Sequence, residues 1–432
     1  MSLVTPINFD YTQLPASIPA RKKTRRFSPE NSSSFSPSTT SIIRIPIRDS
    51  AYLDGKNSYL KFTINNLETA TTATPPGSGA SLKLDPNANA VIARVRVLVG
   101  GVVAEDIQRS NCLVNMLTQA QGSEDYNKAL QILAHQAVTD QDHTSELSGK
   151  AIPHGGSATV CIPVFSGLLN CDKYLPLNLF QSNALTLELY LETTNSVGVW
   201  SADPVEGYSI NSVEYIASLI EIQDDRVNDA LKNQMFTSGL EFHGQTYTTH
   251  INSVGTNTTN ATLNIPERCK SLKALITVVR PTAHITGRQY ASLQVRYPHT
   301  TAGTNFNWYY RVGSENMPSQ GPVESSSMTF IEFQKAYNQL FSLDQSCYAN
   351  TLRWNTAYAA GTDAGCFSMT VSTEAFAHTN MMESGLDTAT AAVPISLIIQ
   401  NAFMDTSAEL ITYAYKDIIW KIDSTGLFQV SL

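Results

Sequence analysis

Charged residues are scarce in this sequence. Asp, Glu, Lys and Arg make up only 15% of the 432 residues, whereas a typical soluble domain has about a quarter. Hydrophobic residues account for 42%, and a chain of this length can bury the cores of two or three domains. A surface with few charges favours a protein that is largely covered by its neighbours, because charged residues are depleted in the cores of interfaces.

The cysteines lack the CxxC spacing of a zinc site, and the chain is long for a disulfide framework. We interpret them as reduced, buried thiols of a protein that is made inside a cell. They are Cys112, Cys161, Cys171, Cys269, Cys347 and Cys366. The sequence also lacks a run of 18 apolar residues, so we expect no membrane span. Its N-terminus has no apolar core of a signal peptide, so we expect no secretion by that route.

Motifs of catalysis and of nucleotide binding are absent as well. The sequence contains no GxSxG elbow, no phosphate-binding loop and no GxGxxG. The Ser-Gly pairs that begin at Ser166 and Ser384 lack the flanking residues of a nucleophile elbow. We therefore expect no enzyme activity, no cofactor, no metal and no small-molecule substrate.

The sequence does contain the alternation that is typical of half-buried β-strands. Apolar residues occupy every second position in two stretches near the C-terminus and in one stretch near the middle of the chain, a period of two. These residues are Ile395, Leu397 and Ile399, then Ile418, Trp420 and Ile422, and earlier Leu185, Leu187, Leu189 and Leu191. The two halves of the chain therefore end in similar strand-rich modules.

A second pattern is shared by the two halves. Gly100 and Gly313 each end a predicted strand, and an amphipathic helix follows each of them, at about residues 110–120 and 330–341. Each half has about 170–200 residues and about six to eight candidate strands, as a jelly roll requires. We interpret this order as one domain plan used twice.

We predict an all-β protein built from two tandem eight-stranded jelly rolls, a double jelly roll, with short inserted helices. The first is expected at residues 41–236, including a linker helix that Asp224 and Asp225 cap, and the second at residues 237–432. Residues 1–40 are predicted to form an extended basic arm, since five prolines exclude a helix there.

Local signals refine the first half. Pro46 cannot donate a ladder hydrogen bond, so the strand around it is predicted to lie at a sheet edge. Asp54-Gly55 predicts a turn. A second helix is predicted at about residues 123–135.

The basic segment RKKTRR is the strongest local signal for function. Its five cations are Arg21, Lys22, Lys23, Arg25 and Arg26. Such a segment can contact nucleic acid inside a shell or an inner membrane. Neutralising five phosphates of duplex DNA gives a log–log salt slope of at most roughly −4.5. A nuclear-import tag and pairing with a neighbour's acidic surface remain alternatives.

Four other groups have a structural interpretation that outweighs the functional one. The histidines His135, His143 and His154 lack the spacing of metal ligands, and Asp140, Asp142 and Glu146 lack that of a calcium loop. Asp224-Asp225 is better explained as a helix cap than as a site. The aromatic residues Trp308, Tyr309 and Tyr310 are better explained by a sandwich core than by stacking on bases or sugars.

The chain resembles the double jelly-roll major capsid proteins of DNA viruses, the lineage that includes adenovirus-like, polinton-like and tailless-phage particles. The resemblance covers roughly residues 42–432 and rests on the strand–glycine–helix order and on four short stretches. These are RIPIRDS at 44–50 leading into YLKF at 59–62, SGLDT at 384–388, YKD at 415–417, and Ile422-Asp423 before Gly426.

The resemblance implies a viral structural protein of the virion. Three chains would form a pseudo-hexagonal capsomer that tiles an icosahedral shell, with penton or minor capsid proteins as further partners and the basic arm towards the interior. Short loops imply low towers on the capsomer. The arginine-rich arm is more typical of RNA-virus capsid proteins. A single jelly-roll RNA-virus capsid protein with a protruding domain and a carbohydrate-binding β-sandwich protein are the alternatives.

Overall fold

The fold is known from a computed structural model of the whole chain. It describes residues 19–69, 80–84, 86–136, 151–180, 185–201, 204–283, 295–301, 304–337, 349, 351–355, 365–375, 383–390 and 393–431. None of the helices in these segments is both long and apolar enough to cross a membrane.

The first half of the chain contributes eight main strands in two antiparallel sheets. They are β1 (Ala20–Phe27), β2 (Ile42–Ile47), β3 (Tyr52–Asn66), β4 (Ile92–Val99), β5 (Val102–Gln108), β6 (Ser157–Ile162), β7 (Leu185–Leu191) and β8 (Tyr208–Ile222). One sheet has the order β1-β8-β3-β6 and the other the order β2-β7-β4-β5. Strands that are distant in sequence are therefore neighbours in both sheets.

The second half contributes eight more strands. They are β9 (Leu240–Val254), β10 (Ala261–Ile265), β11 (Leu272–Pro281), β12 (Asn307–Val312), β13 (Glu315–Met317), β14 (Met369–Ser372), β15 (Ile395–Gln400) and β16 (Ala408–Ile422). Their sheets have the orders β9-β16-β11-β14 and β10-β15-β12-β13. Counted within each half, both halves have the strand orders 1-8-3-6 and 2-7-4-5. The prediction of two tandem eight-stranded jelly rolls is confirmed.

The remaining elements are short. Two-residue to four-residue strands lie at Ser34–Phe35, Leu82–Leu84, Leu175–Pro176, Gly198–Trp200 and Phe428–Ser431, and a 3-10 helix lies at Ala88–Val91. The helices are α1 (Ser110–Gln121), α2 (Glu124–Leu133), α3 (Asp225–Ser238), α4 (Ser326–Ala336) and α5 (Thr351–Trp354). The fold is therefore built mainly from strands, with short helices inserted between them.

Three helix predictions are confirmed and one is shifted. The helix α1 lies where the pattern places it, Ser123 caps α2, and the Asp224 side chain caps the linker helix α3 by accepting from the Arg226 amide at 3.0 Å. The helix α4 begins four residues before the predicted start, because the hydroxyl of Ser325 accepts from the Met328 amide and caps it there.

The predicted turn at Asp54-Gly55 is wrong. Both residues lie inside the long strand β3, where the register against β8 shifts between Ile216 and Ser218. This irregularity brings Gly55 against the backbone of Leu169, whose carbonyl oxygen would lie 1.6 Å from a Cβ at this position. The glycine marks a close approach of two backbones. The prediction for Pro46 is confirmed, since β2 is an edge strand.

The predicted boundary between arm and domain also needs correction. Residues 20–27 are the first strand of the first jelly roll, paired with β8 from Ala20 opposite Ile222 to Phe27 opposite Tyr215. Prolines around the segment suggested an unpacked arm, but Pro19 and Pro29 only flank the strand. The basic segment is therefore part of a sheet, and the first jelly roll begins at Ala20.

The two ends of the molecule differ. At one end, which we call the base, β8 ends at Ile222, the helix α3 links it to β9, and tight turns at Gly100-Gly101 and Gly313 close two hairpins. These glycines have positive φ, between 61° and 84°, which favours glycine in the turn. At the opposite end, long insertions carry α1, α2, α4 and α5.

The two rolls contact each other along β5. The backbone carbonyl of Ala104 in this strand accepts from the indole Nε1 of Trp420 in β16 at 2.9 Å, and the carbonyl of Gln108 accepts from the hydroxyl of Thr249 in β9 at 2.9 Å. Trp420 is fully buried. The sheet β9-β16 of the second roll is therefore covered by the first roll.

Candidate functional site

The basic segment forms an edge strand. In the described part of the chain, β1 pairs with β8 alone, so its other edge is unpaired. Every residue of the strand is exposed except Phe27, which is buried in the core of the first roll. An exposed edge presents free backbone groups as well as side chains. The five predicted site residues, Arg21, Lys22, Lys23, Arg25 and Arg26, all lie on this strand.

The alternation of the strand divides the cations between two faces. Lys23 and Arg25 lie opposite the buried residues Leu219 and Ala217 of β8. The side of β1 that carries Lys23 and Arg25 therefore continues the core-facing side of the sheet. Phe27 is the last residue of β1 on that side. The guanidinium of Arg25 also lies 5.2 Å from the centre of the Phe27 ring, a favourable cation–π distance.

One carboxylate neutralises two of these cations. The Oδ2 atom of Asp49, in the connection between β2 and β3, lies 2.6 Å from Arg25 Nη1 and 3.8 Å from Lys23 Nζ. Burial raises the pKa of Asp49, but the hydrogen bond from Arg25 and the charges of Lys23 and Arg25 outweigh it and lower that pKa below its usual value. Asp49 therefore stays ionised and holds β1 to the roll.

A second carboxylate lies on the other face. Glu214 of β8 is 3.7 Å from Arg26 Nη1 and 3.3 Å from the Nζ atom of Lys61 on β3. The three strands are therefore joined side by side by one acidic residue between two cations. Such half-exposed pairs contribute little to stability, about 0–1 kcal/mol each.

The first two cations of the strand, Arg21 and Lys22, differ from the other three in lacking a carboxylate partner among the described residues. Among the described residues, Arg21 and Lys22 form no salt bridge, although Glu221 is the strand partner of Arg21. Both are exposed and lie at the base of the roll. The strand therefore has two cations that are available to an outside anion and three that are already engaged. Phosphate groups of nucleic acid or of lipid are anions of this kind.

Neither a protein-family model nor a curated protein sequence matches the chain. Solved structures do. A chain of the PBCV-1 virus capsid has 10% identity and a TM-score of 0.61, over 98% of this chain and 99% of that one. The Faustovirus major capsid protein has 8% identity and a TM-score of 0.62, over 97% and 92%. The mavirus major capsid protein has 10% identity and a TM-score of 0.53, over 100% and 95%.

The chain has the double jelly-roll fold. Its own strand order and the likeness over nearly its whole length agree on this point. The residues that join the two rolls were not predicted from the sequence. One of them is the buried Glu105 on β5, which accepts from the hydroxyls of Ser166 and Thr246 and from the Gly167 amide at 2.9 Å. Thr246 belongs to β9, so this carboxylate links both rolls.

The environment of Glu105 has opposing effects on its charge. Burial raises the pKa of Glu105 above its usual value, while the hydrogen bonds from Ser166, Thr246 and the backbone amides act in the other direction. Nearby, Arg109 lies 3.3 Å from Glu409 of the second roll and 3.7 Å from Glu192 of the first. Single acidic residues in a strand pattern carry no signal of such contacts, because the partners are more than 60 positions away.

The other predicted sites have structural roles or lie outside the described residues. Trp308 and Tyr310 are buried in the second roll, as predicted, and the Ser166 hydroxyl is a donor to Glu105. His143 and the possible calcium ligands Asp140, Asp142 and Glu146 lie outside the described residues. Within the described ranges, no group of three or more His, Cys, Asp or Glu residues could hold a metal ion.

Proposed function

We propose that this protein is a viral major capsid protein with a structural, non-enzymatic role in the virion. The observation that carries the proposal is the pair of jelly rolls with one strand order, matched over nearly the whole chain by capsid proteins of PBCV-1, Faustovirus and mavirus. The protein would be made inside the host cell without a signal peptide, and penton or minor capsid proteins would complete the shell.

The contact between the rolls suggests how copies assemble. Within the chain, β5 of the first roll covers the sheet β9-β16 of the second. The equivalent sheet of the first roll, β1-β8, has no such cover in the described part of the chain. The equivalent of β5 in the second roll is β13. Three chains that repeat the internal contact head to tail would close into a ring of six rolls, a pseudo-hexagonal trimer.

Charge complementarity supports this ring. The strand β13 begins with the exposed Glu315, and Glu324 lies on the surface shortly after it. On the other side of the proposed contact, β1 carries five cations. Complementary charges steer association and fix its register more than they add affinity.

The base would face the interior of the shell. Arg21 and Lys22 lie there without a salt bridge among the described residues, and we propose that they contact the phosphates of the genome or of an inner membrane. Two neutralised phosphates give a log–log salt slope of about −1.8, against about −4.5 for five. A slope near the smaller value, measured with duplex DNA, would support the division of the strand into free and engaged cations.

The experiment for the capsid proposal is sedimentation of the purified chain with imaging of each peak. A species near three times 47.2 kDa with a hexagonal outline is the expected result. The charge reversal Arg26→Glu should shift this species towards monomer, whereas Lys232→Glu on the linker helix should leave it unchanged. A chain that stays monomeric at high concentration and yields no particles would refute the proposal.

The two alternatives have less support. An RNA-virus capsid protein with a protruding domain needs two unlike halves, whereas the strand orders of these halves are the same. A carbohydrate-binding protein needs an exposed aromatic platform. Trp200 and Trp308, the tryptophans considered for it, are 1% and 0% exposed, so neither can stack on a sugar.

A further inference from the structure

The linker helix α3 is poorly packed. Among its residues of described burial, only Met235 is buried, although Val227 and Leu231 lie on the same face at a spacing of four. A helix of 14 residues is marginal in water and depends on packing of its apolar face. Most of the apolar face of α3 is therefore not packed against other described residues, although a stable helix needs such packing.

A cleft lies beneath that face. It has a volume of about 1030 Å³ and is bounded by α3, by the end of β8, by the start of β9 and by the loop around Leu179. Its walls include the apolar side chains of Ile220, Ile222 and Leu240. Tyr174, which also lines the cleft, is 56% exposed. Open apolar walls of this size mark a binding groove.

We propose that this cleft binds residues 1–18 of the same chain. The described chain begins beside this cleft. The carbonyl of Pro19 accepts from the Gln223 amide at 3.0 Å, and Ala20 lies opposite Ile222, a residue of the cleft wall. Pro19, the first described residue, therefore lies beside the cleft wall. Eighteen extended residues reach roughly 60 Å, which is ample to line it.

The sequence of residues 1–18 has an apolar alternation of its own. Ile7, Phe9 and Tyr11 alternate with Asn8 and Asp10, so an extended chain would present three apolar side chains on one face. The flanking prolines at positions 6 and 15 exclude a continuous helix. An extended strip with one apolar face fits a groove with apolar walls.

The charges of the segment and of the cleft residues are also complementary. Asp10 is the one charged side chain in residues 1–18. Of the charged residues that line the cleft, the acidic Asp172 and Glu241 already have lysine partners, Lys56 and Lys421. Arg226 at the start of α3 is exposed and forms no salt bridge with another described residue. Asp10 alternates with Phe9 and would lie on the outer, solvent-facing side of the strip, where the exposed Arg226 is an uncompensated cation available to it.

The test compares two full-length variants with the same added charge, Phe9→Asp and Asn8→Asp. Amide hydrogen exchange in α3 and at residues 220–222 is measured in each. If the apolar face of the segment fills the cleft, Phe9→Asp should speed this exchange about tenfold. Asn8→Asp, on the opposite face, should leave it unchanged. Equal exchange in the wild type and both variants would overturn the proposal.

A second measurement uses the chain that lacks residues 1–18. A synthetic peptide of these residues should restore slow exchange in α3, and a peptide with Phe9→Asp should not. Failure of the wild-type peptide to bind would also overturn the proposal. If slow exchange in the full-length protein is lost on dilution to monomer, the cleft holds the segment of a second copy, and the same-chain assignment is wrong. The result does not depend on shell formation, so it separates this inference from the proposed capsid function.

Discussion

The strands β1 and β9 occupy the same place in the two rolls but have different surroundings. Each is the first strand of its roll and pairs with the last, with Ala20 opposite Ile222 and Leu240 opposite Ile422. In β1 every residue but the last is exposed, whereas β9 has several buried residues. The third position shows the contrast most clearly, since it holds Lys22 in β1 and the buried Phe242 in β9.

The difference comes from what covers each strand. The first roll packs on β9 through β5 and the buried Glu105, whereas β1 has no such cover in the described chain. An internal contact can use apolar residues, because it is always formed. A surface that must stay soluble until a partner arrives is better served by charges. In the proposed trimer, the same topology would support a permanent contact in one roll and a conditional one in the other.

The largest expected effect comes from breaking the internal contact at Trp420. This fully buried side chain lies opposite Phe242, and its equivalent in the first roll is the half-buried Ile220 opposite Lys22. We expect Trp420→Ala to lower the free energy of unfolding by about 3–5 kcal/mol. Ile220→Ala should cost only about 1 kcal/mol. Urea unfolding of both variants measures the difference, and equal losses would show that the two sheets are covered alike.

The next effect concerns the carboxylate that links the rolls. Glu105→Ala leaves the hydroxyls of Ser166 and Thr246 without their acceptor and should cost about 2 kcal/mol. Asp106→Ala, at the neighbouring half-buried position, is the control and should cost less. A loss for Glu105→Ala no greater than for the control would contradict the role of Glu105 as a link.

The same residue predicts a pH dependence. Because burial raises the pKa of Glu105, its stabilising contribution is complete below the unfolded-state pKa and declines as the pH rises through the folded-state pKa. Wild type should therefore lose stability relative to Glu105→Gln as the pH is raised from acid to neutral. Unfolding midpoints of both proteins across this range give the comparison. A constant difference would show that Glu105 has an ordinary pKa.

A smaller effect is expected at Asp49, which neutralises Lys23 and Arg25. Asp49→Asn should cost below about 1 kcal/mol. It should also free two cations, which steepens the log–log salt slope of DNA binding by about 1.8. Because the pKa of Asp49 is lowered, its contribution is present above the unfolded-state pKa and is lost as the pH falls through the folded-state pKa. An unchanged salt slope would mean that Lys23 and Arg25 do not face DNA.

The smallest effect on stability is expected at Arg21 and Lys22. Replacing both by Gln should change the free energy of unfolding by less than about 0.5 kcal/mol, as for surface residues in general. Binding to DNA, in contrast, should lose nearly all of its salt dependence. The matched pair Lys23→Gln and Arg25→Gln should retain it. If the Lys23 and Arg25 variant loses the salt dependence of DNA binding and the Arg21 and Lys22 variant keeps it, then Lys23 and Arg25 form the anion contact.

Much of the fold is predictable from local patterns. The alternation around Leu187 and Trp420, the glycine turns at Gly100 and Gly313, and the cap at Asp224 each depend on residues that are close in sequence. The strand count and the jelly-roll class follow from such signals. The turn predicted at Asp54-Gly55 failed because the close approach of Leu169 is a contact across more than a hundred positions.

The candidate site shows the same division. The cluster of cations on residues 21–26 is plain in the sequence, but its division into free and engaged residues is not. Asp49 and Glu214 become partners only when β1 adds to the sheet beside β8. A segment rich in charge and flanked by prolines has no apolar alternation, so its place in a sheet has no local signal.

The sequence by itself determined most of the secondary structure, the tandem arrangement and the positions of the cations, because each depends on side-chain type and short spacing. Only the tertiary structure decided that β1 is a strand, that Glu105 links two rolls, and that a cleft lies beneath α3. These features depend on partners that are distant in sequence, and such partners are selected by the shape and burial of the whole fold. The physical reason is that strand pairing satisfies backbone hydrogen-bond donors and acceptors. Any extended segment of suitable length can supply the matching groups.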